Sequence, residues 1–371
     1  MKDEILIVGA GFSGAVSANI LANNGEKILV IDRRKHIAGN AFDSKDEKTG
    51  IITHNYGPHI FHTNNDIVWN FLSKYTDWHN FEFKPKVVIN GKFITLPFNL
   101  NSLYESFSNE KAKTIEDALI KEYGYGNKVA ILELLENKNE SLKFIANYVY
   151  ENVFANYSSK QWGIPVKDID KNILKRVPVV ISRDDRYFQD KYQGIPSKGY
   201  TNLIQNILTH KNIKLRLNTE FYDLKNEDFK KIIYTGSIDE LFDYKYGVLP
   251  YRSLEFKTKL IDKEYYQPSA MVNYPNDYEY TRIVEHKYFL NQNAKQTIVT
   301  EEYPQKFIQG KNERYYPIKN DENIKLYNMY KAEAAKNPKL YLLGRLGEYK
   351  YYNMEEVILN AINLAKNIIE E

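Results

Sequence analysis

A chain of 371 residues is long enough for two or three domains with buried cores, and its 51 basic and 48 acidic side chains leave a net charge of only +3. So even a balance gives no global field for nucleic acid or an anionic membrane surface. The absence of cysteine excludes disulfides, thiolate catalysis and Cys-ligated metal, and the seven histidines show no HExxH or comparable spacing, so no metal site is expected.

In chain order, Ile5–Val8 is an apolar run of strand length preceded by two acids, which does not read as a signal peptide. Gly9 begins a turn, and Ala15, Val16, Ala18, Ile20 and Leu21 follow helical spacing until Asn23-Asn24-Gly25 stops the helix. Lys27 to Asp32 forms a second strand, giving a βαβ unit and hence a parallel sheet. From Asn101 to Lys160 the texture is helical, with a helix start at Thr114-Ile115-Glu116-Asp117 and apolar recurrences through Leu132, Leu134, Leu135, Phe144, Ile145 and Val149.

Five stretches beyond it read as strands: Val177–Ile181, Ser253–Leu260, Ala270–Tyr274, Thr281–Glu285 and Thr297–Glu301, predicting a separate antiparallel sheet. The chain closes on a helix capped by Asn353 with Glu356 three residues later, and Ala361, Leu364 and Ile368 share one face. The fold class expected is α/β: a Rossmann-like βαβ domain, a helical insert and a second, antiparallel β-sheet domain. The boundaries are 1–80, 197–240 and 318–371 for a discontinuous dinucleotide-binding domain, 98–164 for the helical domain with a mobile loop following, and 81–97, 165–196 and 241–317 for the sheet domain that takes substrate. Nowhere do eighteen apolar residues run together, so no membrane insertion is expected and the cytoplasm is the expected location.

Chemistry enters at Gly9-Ala10-Gly11-Phe12-Ser13-Gly14, which follows a strand and opens a helix. Gly9 permits the tight turn, Gly11 lets backbone approach a pyrophosphate, and Gly14 allows the helix to sit close to the strand. The helix N-terminus offers free N–H groups to the anion, and Asp32 is placed for a ribose hydroxyl. These features establish a dinucleotide site without separating NAD from FAD. Arg33, Arg34, His36 and Gly39-Asn40 extend the motif in the manner of flavoproteins.

Further motifs carry a resemblance to a known family. They are Tyr56-Gly57-Pro58-His59-Ile60-Phe61-His62-Thr63, Lys160-Gln161-Trp162-Gly163, Lys175-Arg176-Val177-Pro178 and Tyr192-Gln193-Gly194-Ile195-Pro196. Tyr234-Thr235-Gly236, Tyr280-Thr281-Arg282, Tyr315-Tyr316-Pro317 and Glu348-Tyr349-Lys350-Tyr351-Tyr352 follow in the same order. Over essentially its whole length the chain resembles bacterial UDP-galactopyranose mutases. The resemblance implies a non-redox flavoenzyme, an isomerase that interconverts UDP-galactopyranose and UDP-galactofuranose for cell-surface glycan synthesis. Reduced FAD is the implied cofactor, with its N5 bonded transiently to the sugar. The implied partners are a nucleotide-sugar substrate and a second copy of the chain in a homodimer, with no nucleic acid.

Roles follow by resemblance. Arg176 matches a mobile-loop arginine that closes over the substrate diphosphate and Arg282 its fixed partner, with Tyr316 and Tyr351 as hydroxyl donors to the same phosphates. Tyr157 matches a ring stacked on uracil beside Phe154, Trp162 a tryptophan at the mobile loop, and Tyr187 and Asn273 further pocket positions. His59 and His62 match histidines beside the flavin, and Arg345 an arginine near its ring system. Gly9, Gly11, Phe12, Ser13, Gly14, Asp32, Arg33, Gly39, Asn40, Ile60, Phe221, Asn353 and Met354 complete the implied cofactor set. Asn353 stands where the family commonly has Asp, keeping the cap and removing a charge. The rival readings are a mutase for UDP-N-acetylgalactosamine or dTDP-fucose, and an amine-oxidase-like flavoprotein oxidoreductase.

Overall fold

The computed structural model describes residues 2–163, 165 and 178–371. The opening motif builds the βαβ unit: strand Glu4–Val8, helix Phe12–Asn23, strand Lys27–Ile31. These two strands are the centre of a five-stranded sheet ordered Ile213–Arg216, Lys27–Ile31, Glu4–Val8, Lys231–Tyr234, Leu340–Leu342. Every neighbour in it is parallel. A parallel sheet must be covered on both faces, and the strands supply apolar side chains to each. Ile5, Ile7, Ile28 and Val30 pack with helices Phe12–Asn23 and Met354–Glu370, whereas Leu6, Leu29 and Ile31 pack with Leu224 and Phe229.

The closing helix spans Met354–Glu370 and buries Ile358, Ala361, Ile362, Ala365 and Ile368. Asn353 and Glu356 form the reciprocal cap: Asn353 Oδ1 accepts from the Glu356 N–H at 2.8 Å, and Glu356 Oε2 accepts from the Asn353 N–H at 2.9 Å. Asn353→Ala is expected to cost about 1 kcal/mol, a fall in Tm of about 2 °C measurable by calorimetry.

The second sheet has seven strands, ordered Tyr316–Pro317, Tyr251–Ile261, Thr297–Lys306, Arg282–Glu285, Met271–Asn273, Lys86–Ile89, Lys92–Thr95. It departs from the antiparallel expectation at one place: Met271–Asn273 runs parallel to Lys86–Ile89. The stretch expected as Val177–Ile181 also lies elsewhere. Pro178–Val180 pairs instead with Lys128–Ala130, and Val179 and Ile181 are buried against the helical insert with Val129 and Ile131. The apolar face of that insert outcompetes the sheet for these side chains.

The insert itself is helical with one short strand, and its first long helix is Asn109–Tyr123. The start expected at Thr114 is therefore corrected to Ser108 as N-cap. Thr114 sits mid-helix, its hydroxyl donating back to the Glu110 carbonyl at 3.0 Å, and Glu116 is buried and bonded by the Tyr104 hydroxyl and Arg183. The insert ends in helix Glu140–Val149, a π-helical turn Tyr150–Ala155, and helix Asn156–Trp162. Among the described residues no helix is long and apolar enough to cross a membrane.

Candidate functional site

One cleft opens above the carboxyl end of the parallel sheet and draws together most of the expected cofactor residues. Gly9, Gly11, Phe12, Ser13, Asp32, Arg33, Gly39, Asn40, His59, Phe221, Arg345, Asn353 and Met354 all line it. Gly9 turns the chain at φ +106°, and a Cβ on Gly14 would lie 1.9 Å from the Gly9 carbonyl oxygen, so helix and strand touch through bare backbone. A Cβ on Gly39 would lie 3.2 Å from the Gly11 Cα, closing the same passage from the other wall. Among the described residues no side chain caps the helix at Gly11, which leaves its N–H groups to an anion. These bare walls, with an uncapped helix N-terminus between them, fit the pyrophosphate of a dinucleotide.

Asp32 holds this floor together as well as facing the cleft. Its Oδ2 accepts from the Ala10 N–H at 2.8 Å and its Oδ1 from the Arg34 N–H at 2.9 Å. Arg33 is ion-paired to Glu240 and Glu313 at 3.3 and 3.2 Å, and Arg34 to Glu313 at 2.9 Å. Both cations are thus engaged across the cleft mouth. At the opposite end Arg345 donates to the Tyr352 carbonyl at 2.7 Å, near the N-terminus of the last helix.

The two motif histidines part company. His59 lines the cleft, its Nδ1 2.9 Å from the Gly57 carbonyl. Burial pushes its pKa down to about 3, with His54 and Arg345 disfavouring the cation further, so it is a neutral ring. His62 turns away: it pairs with Asp190 at 2.8 Å and stacks on Phe188 with centroids 3.6 Å apart. Neither His62 nor Ile60 is among the residues lining the cleft, and Ile60 packs half-buried against the core.

The expected substrate residues gather around one buried ion pair. Arg282 Nε donates to Glu302 Oε2 at 2.7 Å, and Glu302 is fully buried with its other oxygen unpartnered among the described residues. Burial penalises the Arg282 cation, but Glu302, Tyr157 and Tyr316 outweigh it and hold the guanidinium protonated. Burial likewise pushes the Glu302 carboxyl up, and Arg282 opposes it. Tyr157 feels the same charges: burial raises its phenol and Arg282 counters, so it remains a neutral donor.

Around this pair stand the rings. Tyr316 lies 6.4 Å from Trp162 and 5.7 Å from Tyr351 between centroids. The Arg345 guanidinium is 5.0 Å from the Tyr351 ring and 5.8 Å from that of Tyr316. Tyr187 packs on Phe83 and Phe188, and Tyr157, Tyr351 and Arg282 all influence its phenol, which burial raises. Asn273 pairs in register with Arg282 on the neighbouring strand, and its buried Oδ1 has no partner among the described residues. Phe154 is buried in the π-helical turn beside Tyr150, which precedes the helix carrying Tyr157 and Trp162. Arg176 lies outside the described residues.

The motif reading missed Glu302 and Arg252. Arg252 donates to the carbonyls of Gln161 and Lys160 at 2.8 and 3.2 Å, closing the end of helix Asn156–Trp162. Lys160 spends its three N–H bonds on the carbonyls of Tyr274, Tyr278 and Tyr280, tying the same helix to the loop after Met271–Asn273. A strand reading could have flagged Glu302, since it faces Arg282 directly in the antiparallel ladder. The signal exists only once that register is known.

Similarity to known proteins extends over nearly the whole chain. The sequence pattern of the UDP-galactopyranose mutase family matches residues 152–351, and that of NAD(P)-binding Rossmann-like domains matches residues 7–75. A probable UDP-galactopyranose mutase of Klebsiella pneumoniae is 38% identical over 369 residues, covering 99% of this chain and 94% of the relative. A dTDP-fucopyranose mutase of Escherichia coli is 36% identical over 376 residues, covering 99% of each. A crystal structure of reduced UDP-galactopyranose mutase superposes with a TM-score of 0.74 at 15% identity, covering 100% of this chain and 94% of that one, which establishes the shared fold. With a glycine-walled dinucleotide cleft at one end and a charged, tyrosine-lined cluster at the other, the chain belongs to the flavin-dependent UDP-galactopyranose mutase family.

Proposed function

We propose that this protein interconverts UDP-galactopyranose and UDP-galactofuranose with reduced FAD in the cleft. The observation that carries the reading is the position of Arg345, which both lines the cofactor cleft and stands against the rings of Tyr316 and Tyr351. The two sites therefore share a wall, and a sugar held by its diphosphate at Arg282 would lie over the cofactor.

When bound, reduced FAD supplies the nucleophilic nitrogen that holds the anomeric carbon while the ring changes size. The rest falls to the protein. Arg282, oriented by Glu302, binds the diphosphate in the substrate and keeps hold of UDP once the anomeric bond has broken; Arg176 is assigned the same task by the family resemblance. Tyr316, Tyr351 and Tyr157 add neutral hydroxyl donors without further charge. Residues 1–80, 197–240 and 318–371 are assigned to the cofactor domain, a division supported by the single parallel sheet to which all three segments give strands. The family resemblance also favours a cytoplasmic homodimer, whose mass light scattering would measure.

The deciding experiment is NMR product analysis of dithionite-reduced protein with UDP-galactofuranose. UDP-galactopyranose is expected to accumulate, and the air-oxidised enzyme is expected to be inactive. The dTDP-fucopyranose mutase of Escherichia coli gives a second reading a specific basis, since its identity to this chain is nearly equal. A far higher kcat/KM for dTDP-fucose would transfer the assignment to that sugar.

A further inference from the structure

Three histidines lie in series beneath the cofactor cleft, and backbone amides fix the state of two of them. The His54 N–H donates to His286 Nδ1 at 3.2 Å, and the His59 N–H donates to His54 Nδ1 at 3.0 Å. An amide N–H can only donate, so each of these ring nitrogens must carry a lone pair and each proton must sit on Nε2. For His286 that proton points at Thr300 Oγ1, 2.8 Å away, and Thr300 in turn meets the Thr258 hydroxyl at 2.9 Å. His59 ends the series in the other tautomer: its Nδ1 faces the Gly57 carbonyl, an acceptor, and so holds the proton.

The rings are clamped as well as bonded. His54 stacks on Phe289 with centroids 4.7 Å apart and planes at 9°, and Tyr200 meets both His54 and His59 edge-on. His54 and His286 are buried to 4% and 1% exposure. Burial lowers the pKa of each to about 3, in keeping with the bonds, since a second ring proton would set one N–H against another.

The series also joins two parts of the site. His286 follows directly on strand Arg282–Glu285, which carries the diphosphate-binding arginine, while His59 lines the cofactor cleft. We propose that His286 and His54 are positioning residues whose Nδ1 lone pairs hold the backbone from His54 to His59, and so set where His59 stands against the cofactor. The role in turnover rests on the function proposed above; the hydrogen-bonded series does not.

The test uses side chains that replace one ring nitrogen at a time. Asparagine puts an acceptor near the place of Nδ1, and glutamine puts its amide near that of Nε2. In FAD-loaded protein, His286→Asn is expected to keep the wild-type flavin absorption envelope and kcat. His286→Gln is expected to alter the envelope and lower kcat about tenfold with KM within about twofold. The His54 pair is expected to divide the same way. Equal behaviour of the Asn and Gln variants would overturn the proposal. Ring-nitrogen chemical shifts of ¹⁵N-histidine-labelled protein at neutral pH, without cofactor or substrate, test the series alone. Neutral Nε2–H rings are expected for His54 and His286, and an Nδ1–H tautomer or an imidazolium at either refutes the arrangement. Should the wild type load no FAD, the cofactor reading fails while these shifts still decide the series.

Discussion

Arg282→Ala is expected to lower kcat/KM for the nucleotide sugar by about a hundredfold or more while FAD stays bound. On the proposed function the guanidinium would offer the diphosphate charge-assisted, partly bidentate bonds in a buried site, and a lost contact of that kind typically weakens turnover by about two to three orders of magnitude. A second effect must be separated from the first. Glu302 is fully buried and Arg282 is its ion-pair partner, so deleting the arginine leaves an uncompensated carboxylate, which costs about 3 to 5 kcal/mol. Arg282→Ala combined with Glu302→Gln is therefore expected to recover much of the lost Tm and none of the activity. If activity returned with stability, the arginine would have a structural role alone.

Gly14→Ala is expected to give a colourless, destabilised protein. The new methyl would sit 1.9 Å from the Gly9 carbonyl oxygen and 3.1 Å from Ile7 Cγ2, and backbone in the tight turn that leaves a central strand cannot retreat as a flexible side chain would. A clash of this kind costs about 3 kcal/mol or more. It also lifts the helix N-terminus off the turn that presents it to the pyrophosphate, so FAD affinity is expected to fall over a hundredfold by fluorescence titration. Gly25→Ala makes a control. Gly25 has φ +96° with no described residue near its Cβ position, so only about 1 kcal/mol of stability is lost to backbone strain and the yellow colour stays.

The parts legible in the sequence were those whose cause is local. The βαβ unit is spelled out within Ile5 to Asp32, and the last helix carries its own cap in Asn353 and Glu356. What required the structure was set by pairing between distant segments. Nothing near Met271–Asn273 tells that it runs parallel to Lys86–Ile89, and nothing in Val179 or Ile181 says that they serve the helical insert. The same limit applies to the site. Arg282 could be named from its motif, whereas Glu302 becomes its counter-ion only through strand register. His59 and His62 look equivalent in one short motif, yet His62 faces Asp190 next to the paired strand Tyr192–Pro196.

The order of strands in the parallel sheet has a consequence for synthesis. Glu4–Val8 gains Lys27–Ile31 on one side early, but its other neighbour, Lys231–Tyr234, emerges much later, and Leu340–Leu342 closes the far edge later still. Until then the nascent chain carries an apolar strand with an open hydrogen-bonding edge, a template for pairing with the wrong partner. Ribosome-bound chains stopped before residue 231 are thus expected to recruit chaperones and resist refolding, and chains stopped before residue 340 are expected to bind FAD poorly.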